Sequence, residues 1–535
     1  MSISKKNKHL VNGSRLHDDG HEDHHLSSRR RFLRNLGLLT TGSALIPGMP
    51  LQALGSSSLT QALLDNPTDR ILVLIRLKGG NDGLNTIIPT YAFSAYQNAR
   101  PTLAYAQSEL QALSPELAIS NDLSGAYDLW QRDSMRVVNG VGYPDPSLSH
   151  FRGTDILASA SDAQQVLSSG WLGRHLDSCF PDYLSNPPSA PPAIQIGGAG
   201  SIMFNNDENI SLSVTVNNVN ELAELAENGE LYDTNNLPDC LYGSQLGYLR
   251  SVANSAFVFA NGIERAYDLG TNAVPYTGGS LSDQLALVAR LIKGGLETRV
   301  FLVTLEGFDT HANQGGNHPR LMRELGGSLK AFYDDLAVSG DDQRVISTTF
   351  SEFGRRIEEN GSNGTDHGTA SPQLLFGPAL NGNGIHGDAP DLSAPDNNGN
   401  LVFTTDFRSV YASLLENWLC IPPADVDTVL GGNFPRLDLG FNCTTVSNRN
   451  VVERLPVTLQ KTPIGWQVAF DSEGGEYTLQ LVDVMGRVLN ERKEFVSVGQ
   501  AELPVRAPGR IVSGVYAYRL FSPKGREASG LIPIL

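Results

Sequence analysis

The chain has 535 residues and a formal charge of −17 at pH 7, a length beyond what one hydrophobic core usually sustains, so at least two domains are expected. Its acidity argues against nucleic acid, whose phosphates it would repel, but not against a small anionic substrate, because a bound metal inverts the local field. With 40% hydrophobic and 18% charged residues and abundant Gly and Pro, the composition is that of an ordinary globular protein with many loops.

The first element is a leader, placed at residues 1–55. Ser28-Arg29-Arg30-Arg31-Phe32-Leu33-Arg34 precedes a modest apolar run reaching Leu54, the layout of a twin-arginine export signal. That run is too short and too rich in Gly, Ser and Thr for a transmembrane segment, which takes about 20 residues. The twin-arginine route carries cargo that folds before export, often around a cofactor, so a metal site is expected. The His-rich stretch at 17–25 reads as solvated leader rather than a metal tract.

From Arg70 onward, near-continuous apolar runs at Ile71 to Leu77, Arg136 to Val141, Arg299 to Leu305 and Arg344 to Phe350 suit parallel strands buried on both faces. Helical spacing marks Leu281 to Leu296 and a face formed by Leu321, Leu325, Leu329, Phe332 and Leu336. The alternation predicts an α/β domain over 69–445, a mainly parallel sheet between helices. Ala379 to Thr405, rich in Asn, Gly, Asp and Pro, reads as an irregular insertion, and a helix from Phe407 to Leu419 closes the domain. Over 451–535, alternating stretches at Gly465 to Phe470, Glu476 to Val484 and Gly514 to Phe521 predict a small antiparallel β-sandwich. The four cysteines show no CxxC spacing, and three disulfide pairings are open; Cys420 and Cys443, the nearest pair, are the first choice for a bridge.

In a parallel α/β sheet, ligands bind beyond the carboxyl ends of the strands, and the polar clusters of this chain lie there. The first strand runs into GGNDG at 79–83 with Asp82, which is either a plain turn or a carboxylate presented to a ligand. The second runs into a proline-rich loop ending in Ser149, His150 and Arg152. Ser149 there is a helix N-cap or a nucleophile whose alkoxide the helix terminus would favour. Asp309 and His311 follow the third strand and can face one ion, or serve as a cap and a surface histidine. Arg355 and the adjacent Asp366-His367 pair follow the fourth, and His386 lies in the insertion.

Three resemblances attach to these residues. Tyr477 to Arg487 together with Ser513 to Leu520 resembles the C-terminal sorting domain of the type IX secretion system; a carbohydrate-binding or stalk module is the other reading. The strand-end clusters resemble the alkaline phosphatase and sulfatase superfamily. LKGGNDGLNTIIP at 77–89, GYPDPSLSHFRG at 142–153, GWLGR at 170–174, GFDTHANQ at 307–314 and TFSEFGRR through TDHGTA at 349–370 are similar to the twin-arginine-exported family of unknown function 1501. The superfamily resemblance implies two divalent ions, zinc, manganese or calcium. Asp82, Asp366 and His367 would hold one beside the nucleophile Ser149; Asp309, His311 and His386 would hold the other. Arg152 or Arg355 would clamp the substrate's anionic oxygens. Cys179-Phe-Pro-Asp-Tyr183 has Tyr where a formylglycine motif needs Arg, which excludes a formylglycine sulfatase.

The implied function is an exported metal-dependent hydrolase of phosphate or sulfate esters, its partners a small anionic ester or a sulfated or phosphorylated glycan together with the twin-arginine and type IX export machineries. Its route would pass through the periplasm to the cell surface or the medium. The alternative is a non-catalytic cell-surface or carbohydrate-associated binding protein on a degenerate fold of the same kind.

Overall fold

The computed structural model describes residues 69–184, 187–198, 200–216, 232, 241–276, 278–443, 457–462, 465–482, 488–506, 514–523 and 527–534. The leader, with its arginine pair, and the Asp483 to Arg487 part of the sorting-domain motif lie outside the described residues. The chain divides into two compact units, at Val446/Ser447.

The larger unit is built on a nine-stranded sheet. In chain order its strands and the helices that matter here are β1 (Ile71–Lys78), β2 (Met135–Gly142), α1 (His150–Ser159), β3 (Ala193–Ile196), β4 (Ser213–Val216), α2 (Ser280–Lys293), β5 (Val300–Glu306), α3 (Gln314–Ser339), β6 (Val345–Phe350), β7 (Ser371–Phe376), β8 (Gly384–His386) and β9 (Thr405–Asp406). The strand order is β8-β2-β7-β6-β1-β5-β3-β4, with β9 also paired to β2. Every pairing is parallel except those of β7, which runs antiparallel between β2 and β6. All four expected strands are present. β7 was not anticipated: it follows a loop of Gly, Thr and Ser with no strong punctuation, and only its neighbours on both sides make it a strand.

β1 lies mid-sheet between β5 and β6, and consecutive residues from Ile71 to Ile75 are buried, so both of its faces are covered and its sequence ILVLIRLK needs no polar alternation. The expected face of α3 is the buried one: Leu321, Leu325, Leu329, Phe332 and Leu336 are all in the core. α2 likewise buries Leu281, Leu285, Val288 and Ile292 and packs against α3 and β5, the helix-on-sheet layering of an α/β domain. The closing helix runs Phe407–Ser413 and continues as a π-helical turn over Leu414–Trp418. Cys420 and Cys443 form a disulfide, and Cys179 is free.

The smaller unit holds two antiparallel sheets, one of three strands (Val457–Thr462, Gly465–Ser472, Gly499–Val505) and one of four (Gly475–Val482, Val488–Val496, Gly514–Phe521, Glu527–Ile534). Val468, Phe470, Tyr477, Leu479, Leu503, Tyr518 and Leu520 form its own hydrophobic core.

Candidate metal centre and serine site

Four loops leave the carboxyl ends of β1, β2, β5 and β6, and their approach depends on glycine. At Gly79, φ is +123°, and a Cβ there would stand 2.3 Å from the backbone nitrogen of Asp309, so only glycine lets the loops after β1 and β5 touch. Arg355 ties them together from beneath. Its guanidinium donates to the carbonyls of Gly80, Thr365 and Phe308 at 2.8, 2.7 and 2.9 Å and to Asp309 Oδ1 at 2.9 Å. Glu352, 2% exposed, completes the frame by accepting from the amides of Gly79 and Gly80 and from Arg76.

Within this frame, His311 Nδ1 lies 3.1 Å from Asp366 Oδ1, and His367 Nδ1 lies 2.8 Å from the carbonyl oxygen of Leu148. Carboxylate and carbonyl only accept, so both imidazoles carry their proton on Nδ1 and leave a lone pair on Nε2. Those two Nε2 atoms are 2.8 Å apart, and each is 3.3 Å from Asp309 Oδ1. Three acceptors in mutual contact repel one another unless a cation lies among them. Burial holds the His367 pKa below its ordinary value, so the imidazole does not itself supply that charge at neutral pH. Burial would raise the Asp309 pKa, but the hydrogen bond and charge of Arg355 outweigh it and keep the carboxylate ionised.

His150, the first residue of α1, brings a fourth donor. Its Nε2 is buried without a hydrogen-bond partner and lies 3.4 Å from Asp309 Oδ2. His150, Asp309 and His367 offer ligand atoms all within 4.8 Å of one another. Buried Phe353 packs on both imidazoles, its ring 4.9 Å from that of His150 and 4.4 Å from that of His367. A set of imidazole nitrogens and one carboxylate, with the far ring nitrogens held by a carboxylate and a carbonyl, fits a divalent metal.

Ser149 lies in sequence between Leu148, whose carbonyl holds His367, and His150. It occupies the N-cap position of α1, yet its side chain makes no capping bond and is exposed. The hydroxyl is therefore free for chemistry at a helix N-terminus, where negative charge is stabilised.

The residues expected to make two metal sites are thus redistributed. Asp309, His311 and His367, divided between the two expected sets, converge on one cluster. Asp366 adjoins it as the partner of His311 Nδ1, with Asn360 donating to the same oxygen at 3.0 Å. Asp82 does not join: it is fully buried in an ion pair with Arg100 and also accepts from Gln314. Burial alone would raise its pKa, but the Arg100 charge holds it below the ordinary value. His386 stands within β8 at the sheet edge, in register with Val138. Four strands separate β8 from β5, about 24 Å at the usual strand spacing, so it does not pair with Asp309. Arg355 is 1% exposed and bonded to the loops, which takes it out of reach of a substrate anion. Arg152 Nη2 donates to the carbonyls of Asp162, Ala163 and Gln165.

Sequence reasoning missed His150, Asn360 and Glu352. His150 had a signal, its place beside Ser149 in SLSHFRG; Asn360 had none, because it acts through the fold of its loop.

Residues 139–410 match the family described as Protein of unknown function (DUF1501). The chain belongs to the DUF1501 family. The match begins within β2 and takes in α1, β5, β6 and β7, and hence every residue of the cluster. No curated protein matches this DUF1501 chain. Among solved structures it is similar to a protein in the alkaline phosphatase superfamily from Vibrio parahaemolyticus, at 10% identity over 88% of this chain and 84% of that one, TM-score 0.27. It is also similar to a sulfatase from Pseudoalteromonas sp., at 9% identity over 83% and 84%, TM-score 0.30. A third similarity is to alkaline phosphatase from the Antarctic bacterium TAB5, at 9% identity over 60% and 95%, TM-score 0.23.

Proposed function

We propose that this DUF1501 protein is an exported metal-dependent hydrolase of phosphate or sulfate esters with Ser149 as nucleophile. The observation that carries the reading is the uncapped, exposed hydroxyl of Ser149, set in sequence between two residues that touch a cluster of cation-seeking donors. His150, His311, His367 and Asp309 would hold the ion, which when bound supplies Lewis-acid polarisation of an ester oxygen. The ester phosphorus or sulfur is attacked by Ser149 Oγ, forming a seryl ester and releasing the alcohol, and water then cleaves the seryl ester. The first turn of α1 stabilises the oxygen anion at Ser149. Asp366 and the Leu148 carbonyl hold the imidazole protons on Nδ1, so the Nε2 lone pairs stay directed at the cluster. Arg152, half-buried on the same helix turn, is the cation nearest in sequence for the substrate's anionic oxygens.

Sulfated or phosphorylated sugars and simpler anionic esters both suit this chemistry. The leader would direct export through the twin-arginine machinery, and residues 451–535 would serve as the sorting domain read by the type IX machinery on the way to the cell surface. Among the described residues no helix is long and apolar enough to cross a membrane.

The Asp82–Arg100 ion pair favours the second reading, a binding protein on a degenerate fold, since it withholds one expected ligand from metal. Elemental analysis of the purified protein, with hydrolysis of p-nitrophenyl phosphate and p-nitrophenyl sulfate by it and by Ser149→Ala, separates the two. The hydrolase reading requires about one divalent ion per cluster and turnover that Ser149→Ala abolishes. Bound metal without turnover of any ester supports the binding protein, and absence of divalent metal removes the hydrolase as described.

A further inference from the structure

A cavity of about 470 Å³ opens between the strand-end backbone of Asn139 and Gly140, the start of β7 and the loop around 388–404. None of the cluster residues lines it, and its size is that of a small-molecule site. Its walls are aliphatic, with Leu84, Ile87, Pro372 and Leu401 among them. Two lining residues carry a buried polar atom with no hydrogen-bond partner, Asn139 Nδ2 and Ser371 Oγ; Asn139 is 1% exposed. Polar groups buried in this way cost free energy until something bonds them. Two exposed carboxylates, Asp388 and Asp391, also line the cavity, and no Lys, Arg or His does. An anion therefore meets only like charge here, and the ester group of the proposed substrate has no place in it.

We propose that this cavity binds a small aliphatic ammonium compound bearing a hydroxyl or carbonyl. Its body packs on Leu84, Ile87 and Leu401, its polar oxygen bonds Asn139 and Ser371, and its charged nitrogen faces Asp388 and Asp391. The site stands apart from the hydrolase reading and does not depend on it.

Calorimetric titration of the full chain with 6-aminohexan-1-ol and with 6-hydroxyhexanoate, matched in body and opposite in charge, tests the assignment. The amine should bind roughly tenfold more tightly than the anion at low salt, as expected for a cleft of one charge sign, and the preference should shrink as salt screens it. Asp388→Asn with Asp391→Asn, both at exposed positions, should remove the preference. Ala389→Trp, which adds an indole at the cavity lining, should weaken binding of the amine. Equal binding of the two probes, binding of neither, or amine binding unchanged by Ala389→Trp would overturn the proposal.

Discussion

A proton held on Nδ1 of His311 and of His367 leaves two lone pairs and a carboxylate oxygen in contact, and the behaviour of the site follows from that arrangement. Asp366→Ala removes the group that orients His311 but no converging donor atom, so metal affinity should fall about 10- to 100-fold. His367→Ala deletes a donor and should abolish stoichiometric binding. Chelator-competition titrations of both variants check this; equal and complete loss would make Asp366 a ligand in its own right. Asp309, His311, Asp366 and His367 were legible in the sequence because Asp and His lie close together at predicted strand ends. Which of them converge on one point and which steady a neighbour was not, because that depends on which nitrogen meets which oxygen. Two further histidines work against charge rather than with it: burial holds His175 and His318 at about 4. The unfolded chain binds these protons near pH 6.5 and the native one does not, so stability is fullest above 6.5 and falls as pH drops toward 4. Each contributes about 3 kcal/mol over that window. Denaturant unfolding at pH 7.5 and 4.5 should show the loss, and His175→Leu should reduce it.

Helix α1 shows how an element and its terminus divide their roles. A serine that caps a helix contributes about 1 kcal/mol, but Ser149 makes no capping bond. Ser149→Ala should therefore shift unfolding free energy by less than about 0.5 kcal/mol while removing hydrolysis, and calorimetric melting beside the activity assay reads both. A melting loss of the size expected for a cap would return Ser149 to a structural role. The loop after β1 behaves in the opposite way. GGNDG reads as either a plain turn or a ligand-presenting one, and Asp82 is taken up by Arg100, both fully buried. Breaking a buried pair strands a charge, so Arg100→Met should cost about 3–5 kcal/mol, and adding Asp82→Asn should restore part of it. Urea unfolding of the single and double variants measures the difference. Arg100 lies 18 residues from Asp82 and follows a short helix, Phe93–Ala99, and no local pattern connects them.

At the scale of the molecule, the Cys420–Cys443 bridge closes the end of the larger unit, and Arg70, the second described residue, donates to the carbonyl of Asn442 at 2.9 Å beside it. The first and last described segments of that unit are thereby held together. Replacing both cysteines with alanine should lower stability by about 3 kcal/mol for a loop of this length, read as a fall in melting temperature that reducing agent reproduces in the parent protein. The smaller unit carries a separate core.

The mainly parallel sheet between helices, its four strands at 71–77, 136–141, 299–305 and 344–350, and the antiparallel strands of the C-terminal segment followed from the sequence alone, since burial periodicity and turn residues act over a few neighbours. The cysteine pairing was open in the sequence, and the structure chose the nearest pair. The merging of two expected metal sets into one cluster, the entry of His150, the loss of Asp82 to Arg100 and the isolation of His386 on an edge strand were decided only by the tertiary structure. Each depends on a contact between residues far apart in the chain, and a sequence shows which groups can bind an ion but not which of them the packing leaves free.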